Sequence, residues 1–509
     1  MLTYDVVVVG AGNAGMSAAC KLAMSGQKTL LIEQHNLPGG CATSFRRGRF
    51  EFETSLHELC DYGPASDPGD VRLLLKDYGI NVKFLEVPDT FRVISTARSG
   101  REIDAAMPVG QKAFIDKMEE YVPGSRASME DFFTLGDECN AATIYINQSN
   151  GSPDSEYMKK HFPNFLRTAA HTTNKVLDAL KMPRDAQDIL NTYWSYLGVD
   201  TERLTFMHYA AMVHKYVTRS AYIPELTSHG LSLAFIDRFQ QLGGEVWFNT
   251  KVEKVLFENG AVSGVSTTQG DVAAKHVILN CNPHTAYATM LPKEVIPERE
   301  IRLANARTHS ARAFVLYLGL NKTAEQLGLT DYSIFMPPTM DTAKAYQALS
   351  SLETNDYIIS LCYNIVNPKA SPEGTCMLSF TTFYSDEVWK DISPENYVNT
   401  KNQIASRMID KFERKTGVKL RDYIEEAEVA TPWTFARYIN TPQGTMYGYE
   451  TNEWDSMMAR LMSLNTDYPI PGLKFAGAHG PRGDGYSSTY ICGELIARLT
   501  LKDMAEEAK

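Results

Sequence analysis

Residues 5–34, "DVVVVGAGNAGMSAACKLAMSGQKTLLIEQ", constrain the fold more than any other part of the chain. Val6 to Val9 is a β-branched run suited to a strand buried on both faces. Gly10, Gly12 and Gly15 follow at once, and then small and apolar residues (Ala18, Ala19, Leu22, Ala23) recur at helical spacing up to a stop at Gly26. Thr29 to Ile32 reads as a second parallel strand, with Glu33 at its end. In such a unit the first glycine permits the tight turn. The second lets a pyrophosphate approach the backbone, and the third lets helix and strand pack closely. The helix N-terminus offers unpaired N–H groups and a partial positive charge to the phosphates. Gly10, Gly12, Ala14 and Gly15 are therefore the expected turn contacts. Glu33 is expected to accept hydrogen bonds from a ribose and to repel a 2′-phosphate.

The totals fit a large α/β protein. The chain has 509 residues and 44% hydrophobic residues, enough for a sizeable core. A net charge of −11 argues against a nucleic-acid partner, which favours a basic face. The eight cysteines are scattered without a C-x-x-C, so neither disulfides nor a zinc site are expected, and no metal is. Met1 to Tyr4 is too short for a secretory leader, and the expectation is a cytoplasmic protein.

The next segment decides between nucleotides. "LPGGCATSFRRGRFEFETSLHEL" resembles the FAD-dependent amine-oxidase-like flavoproteins, in which a G-G-x-x-x-[S/T] segment follows the dinucleotide unit. Gly39, Gly40 and Thr43 match it, with Ser44 as an adjacent alternative, and such groups form a second phosphate cradle. The resemblance implies FAD. It also implies an acid-x-Gly at the flavin, where this chain has Glu53 and replaces the glycine with Ser55, so that His57 turns towards the substrate side. Further on, "KVEKV" matches the strand that supplies backbone to adenine, which makes Val252 the carried-over contact. "ATPWTFARYINTPQGTMYGYE", from Ala430 to Glu450, resembles the phytoene desaturase, carotenoid isomerase and retinol saturase branch. "IPGLKFAGAHGPRGDGYSSTYICGELIAR" resembles the flavin clamp of the same superfamily, with Gly477, Asp484, Ser487 and Ser488 as its cofactor contacts.

The expected architecture is a Rossmann-type, glutathione-reductase-like α/β FAD-binding domain carrying an inserted α+β substrate domain. The FAD-binding domain is assigned to residues 1–95, 225–305 and 465–509, and the substrate-binding domain to 96–224 and 306–464. Between them, Phe114 to Tyr121, Tyr157 to Leu180, Ala186 to Tyr196 and Met207 to Val217 have helical apolar spacing. Ala313 to Leu320, Tyr357 to Tyr363 and Thr375 to Phe383 read as strands of an antiparallel floor.

Only one dinucleotide fingerprint is present, which favours a flavin that deals with the substrate itself or with an external electron partner. The resemblance implies an oxidoreductase or isomerase acting on carbon–carbon double bonds of an apolar substrate: a polyene, a retinoid or an unsaturated fatty acid. His57, Arg437, Tyr447, Tyr486 and His479 are the candidates for proton transfer, and Arg437 is alternatively a carboxylate clamp. A second reading is an amine or amino-acid oxidase with Trp433, Tyr438 and Tyr447 as an aromatic cage. A third is a flavin-binding subunit without turnover. "KKHFPNFLRTAAH" mixes basic and apolar residues and suits a peripheral membrane contact. The oligomeric state is left open.

Overall fold

The computed structural model describes residues 2–149, 151–451, 453–464, 469–480, 483 and 485–509. The opening run forms strand β1 (Leu2–Val9), helix α1 (Asn13–Met24) and strand β2 (Thr29–Ile32). β1 lies in the middle of a seven-stranded sheet, parallel to β2 on one side and to Gly270–Leu279 on the other. Glu245–Trp247 extends the sheet beyond β2, and Leu473–Phe475 adds a parallel strand beside Gly270–Leu279. Val252–Glu258 and Ala261–Thr267 form the antiparallel edge, joined at Asn259 and Gly260, both with positive φ. That is the geometry the Asn-Gly turn demands. Val6, Val7 and Val8 are fully buried, as a central parallel strand requires.

A second seven-stranded sheet is almost wholly antiparallel. Arg312–Leu320 lies between Ile424–Ala430 and Cys376–Tyr384, followed by Ile358–Cys362 and Ser333–Met336. Its last two strands, Asp89–Thr96 and Glu102–Pro108, come from early in the chain. The expected boundary at residue 95 therefore cuts a strand. The hydrogen bonds of Asp89–Thr96 run to Glu102–Pro108 and Ser333–Met336, so it belongs with the second sheet.

The helical stretch expected over Tyr157 to Leu180 is broken into Ser155–His161, Pro163–Thr168 and Thr173–Ala179. Pro163 has no N–H and starts a new helix, and Thr172 takes an extended backbone before the third. Arg126–Gln148, the longest helix of this part, and the Asp89–Pro108 hairpin were not anticipated. No helix among the described residues is long and apolar enough to cross a membrane.

Candidate active site

Two helix N-termini meet at one cavity. α1 starts at Asn13, and the last helix, Tyr486–Glu507, starts after Gly485. The two helices pack so closely that a Cβ on Gly493 would stand 2.1 Å from the Ala14 carbonyl oxygen. Gly12, Ala14, Gly477, Tyr486, Ser487 and Ser488 all line a cavity of about 350 Å³. Both helices thus aim the positive ends of their dipoles at the same space.

The glycine turn is built around Asn280, which sequence reasoning missed. Its Nδ2 donates to the Gly10 carbonyl at 3.2 Å. A Cβ on Gly12 or Gly15 would stand 2.9 Å from that nitrogen, and one on Gly477 would stand 2.9 Å from Asn280 Oδ1. Gly39 N–H donates to the Ala11 carbonyl at 2.8 Å, which lays the Gly39-Gly40 segment against the turn, and Gly40 takes a φ of +61°. Glu33 closes the far side, accepting from Ala11 N at 2.7 Å and His35 N at 2.8 Å. Burial pushes its carboxyl up from the ordinary range. Glu33 N–H donates to Trp247 O and its carbonyl accepts from Thr250 N–H, so the chain leading into Val252 runs alongside it. Val252 itself is buried in its strand.

This geometry fits a flavin nucleotide. The turn is so tight that a Cβ at Gly10, Gly12 or Gly15 would strike Asn280 or the Gly10 carbonyl, and Asn13 Oδ1 is buried without a hydrogen-bond partner at the cavity wall, a polar atom free to face a ligand. Thr43 and Ser44 are engaged elsewhere. Thr43 Oγ1 lies 3.3 Å from His229 Nδ1, Ser44 Oγ donates to Glu51 at 2.6 Å, and neither lines the cavity. Asp484 lies outside the described residues. Among the described residues no group of His, Cys, Asp or Glu is arranged to hold a metal ion.

Past the glycines the cavity opens into a chamber walled by Leu56, Leu197, Met212, Val315, Phe383 and Met446. The segment after Glu53 crosses its wall as irregular backbone, held by three tyrosines. Tyr317 donates to Thr54 O at 2.6 Å, Tyr363 to Leu56 O at 2.6 Å, and Tyr332 to His57 O. Buried carbonyls outside a ladder need such partners. Ser55 shows why a hydroxyl is tolerated where the family has glycine. Its Oγ donates to the Cys41 carbonyl at 2.8 Å and lies 3.0 Å from Tyr486 Oη, which also donates to that carbonyl at 3.1 Å. Tyr486 therefore ties the last helix to the Gly39-Gly40 segment.

His57 lines the chamber between two hydroxyls, with Nδ1 3.2 Å from Tyr196 Oη and Nε2 3.1 Å from Thr381 Oγ1. Burial pulls its pKa down to about 4, so it is neutral at pH 7. Beside it Glu58, another residue not anticipated, accepts from Tyr196 Oη at 2.8 Å. Burial pushes Glu58 up to about 8, against the lowering effect of that hydrogen bond. Glu53, buried behind and bonded by Ser228 N–H at 2.8 Å and by its hydroxyl, is pushed up to about 7. Tyr447 also lines the chamber, its ring centroid 5.6 Å from that of Phe383.

Two expected candidates lie elsewhere. Arg437 sits on the exposed face of helix Pro432–Ile439, its guanidinium 5.9 Å from the ring centre of the neighbouring Tyr438. The helix buries Pro432 and Phe435, so Trp433, Arg437 and Tyr438 turn outward. The aromatic cage expected for an amine substrate is therefore not assembled, since only Tyr447 of the three reaches the chamber. His479 faces a separate cavity of about 60 Å³ with Arg307, Tyr449 and Arg460. Its Nε2 is 2.8 Å from Asn282 Nδ2, and burial pulls its pKa down to about 3. It binds structure there, away from the chamber.

A model of flavin-containing amine oxidoreductases matches residues 13–484. The chain belongs to that family. Its members bind FAD, and this flavoprotein is an FAD-dependent oxidoreductase or isomerase. It is similar to the all-trans-retinol 13,14-reductase of Danio rerio, 25% identical across 98% of this chain and 86% of the relative. It is also similar to a chloroplastic prolycopene isomerase of an Oncidium hybrid cultivar, 23% identical across 99% of this chain and 85% of the relative. Among solved structures, a putrescine oxidase variant superposes with a TM-score of 0.66 at 12% identity, covering 98% of this chain and 99% of its own. That likeness carries the fold. The flavin, once bound, supplies two-electron chemistry, while the chain orients substrate and moves protons.

Proposed function

We propose that this flavoprotein desaturates, saturates or isomerises carbon–carbon double bonds of an apolar, conjugated substrate held in the chamber. The second sheet and the helices between Gln111 and Arg219 form the substrate domain in this reading. One observation carries it: past the glycine turns the chamber is lined predominantly by leucine, methionine, valine and phenylalanine, His57 and Glu58 are held there in their uncharged forms, and the charged groups Lys215 and Asp61 pair with each other at 2.7 Å. The cage of Trp433, Tyr438 and Tyr447 is not assembled for an ammonium substrate, whereas the leucines, methionines and Phe383 of the chamber suit a polyene. The names of the retinol reductase and prolycopene isomerase relatives support the same substrate class.

The test is anaerobic incubation of the holoprotein with all-trans-retinol and, separately, with a poly-cis carotene, followed by mass spectrometry. A product heavier or lighter by two hydrogens is the expected signature of saturation or desaturation. Unchanged mass with altered retention marks isomerisation. Bleaching of the flavin by an amine, with both polyenes returned unaltered, would replace this reading with an amine oxidase.

The same reading places the protein at a membrane surface, where such substrates dissolve. Helices Ser155–His161 and Pro163–Thr168 expose Tyr157 and Leu166 beside Lys159, Lys160 and Arg167. The preceding Gly151 packs against the backbone of Leu461, which lines the chamber. The protein is expected to co-sediment with anionic vesicles, and a Tyr157→Ser, Leu166→Ser double variant to do so several-fold less. Wild-type protein that stays wholly in the supernatant removes this contact.

A further inference from the structure

The hydrogen bonds around His57 have a direction. Tyr196 has a single hydroxyl proton and donates it to Glu58 Oε1 at 2.8 Å. Its oxygen can then only accept from His57, so the imidazole proton is on Nδ1 at 3.2 Å. That leaves Nε2 as the acceptor for the Thr381 hydroxyl at 3.1 Å. Thr381, His57 and Tyr196 thus all donate towards Glu58, and Oε1 is the end of the chain. The other carboxyl oxygen, Oε2, is buried with no hydrogen-bond partner. Glu58 is only 7% exposed and lines the chamber. A buried, unpartnered oxygen costs far more in an ionised carboxylate than in a neutral carboxyl. The donors converging on Oε1 make Oε2 the protonated atom.

We propose that Glu58 is the catalytic acid and base of this enzyme, exchanging the proton on Oε2 with a carbon of the conjugated substrate, while Tyr196 and His57 are positioning residues that fix which oxygen carries it. The inference rests on the double-bond reading above. In the step, the Oε2–H bond breaks and a C–H bond forms from the π pair of one double bond. Positive charge spreads over the remaining conjugated carbons. The lowered bond order permits rotation, and return of a proton from that carbon to Oε2 restores the polyene. No oxidant or reductant is consumed in this exchange. Leu56, Leu197, Val315 and Phe383 of the chamber wall carry no nucleophilic group that would capture the cation.

Two measurements test it. The first is infrared difference spectroscopy of the holoprotein, wild type against Glu58→Gln, which is expected to show the carbonyl stretch of a protonated carboxyl that the variant lacks. Tyr196→Phe should keep that band but shift it upward, because Oε1 loses its donor, an effect that a purely structural tyrosine would not produce. The second is incubation of the holoprotein with all-trans-retinol or a poly-cis carotene in D₂O. Wild type is expected to place deuterium on vinylic carbons, and Glu58→Gln to do so at least about 100-fold more slowly. Exchange by Glu58→Gln at the wild-type rate, or no band that depends on Glu58, overturns the proposal. Polyene conversion without deuterium in wild type overturns it too while leaving the functional reading intact. If neither polyene is converted at all, the functional reading falls and the role of Glu58 falls with it.

Discussion

Gly15→Val is expected to purify colourless, with FAD affinity lowered at least about 100-fold, or about 3 kcal/mol. A Cβ at position 15 would stand 2.0 Å from the Gly10 carbonyl oxygen and 2.9 Å from Asn280 Nδ2. The first is backbone, and the second is a side-chain end pinned by its own hydrogen bond to Gly10 O at 3.2 Å. Gly10 itself has φ +99°, and a Cβ there would stand 2.7 Å from the Asn280 carbonyl oxygen, so the turn has no slack. Helix α1 must move off the strand, and the N–H groups at its start move with it. The matching control is Gly26→Ala, at the far end of α1, where φ is +79° and a Cβ meets nothing within 4 Å. That variant should lose about 1 kcal/mol of stability and keep its flavin. Flavin absorbance per protein and titration with FAD read both, and circular dichroism checks that each is folded. Wild-type flavin content in Gly15→Val would place the nucleotide somewhere other than this turn.

The second large effect is on stability against pH. Glu58, at about 8, and Glu53, at about 7, both hold a proton in the folded chain that an unfolded carboxyl loses near 4.5. Between those values the folded state binds more protons than the unfolded one, so stability falls as pH rises. The loss begins near 4.5 and levels off above each folded value. By linkage it is of order 5 kcal/mol for Glu58 and 3 kcal/mol for Glu53. His57, at about 4, has the opposite sign: the unfolded imidazole binds a proton near 6.5 that the folded one refuses, so stability is gained as pH rises from about 4 to 6.5. In urea unfolding of flavin-free protein, the gap between Glu58→Gln and wild type should therefore widen in favour of the variant from pH 5 to pH 8. Parallel curves across that range would mean that Glu58 ionises normally in the folded protein.

The nucleotide turn was legible because everything it needs is local. Three glycines, a β-branched strand and a small-residue helix follow one another within a few residues, and each has one dominant steric reason to be there. Asn280 was not legible. Its role depends on the strand Gly270–Leu279 lying next to β1, and an asparagine at a strand end has no spacing that announces this. Arg437 misled for the converse reason: it lies in a stretch that resembles a catalytic family, yet the amphipathic helix around it buries Phe435 and turns the arginine to solvent. His57 could be singled out from its place after the acid-x-Gly position. Its partners could not, since Tyr196 lies 139 residues away and Thr381 324 residues away.

The chain's order alone settled that a nucleotide would be gripped at β1 and α1, because backbone sterics and a helix dipole act over a handful of neighbouring residues. Which side chains face the bound molecule, and with which proton, was decided only when two sheets came together. Burial and hydrogen-bond direction are properties of the closed cavity, and neither exists until residues hundreds of positions apart exclude water from the same space.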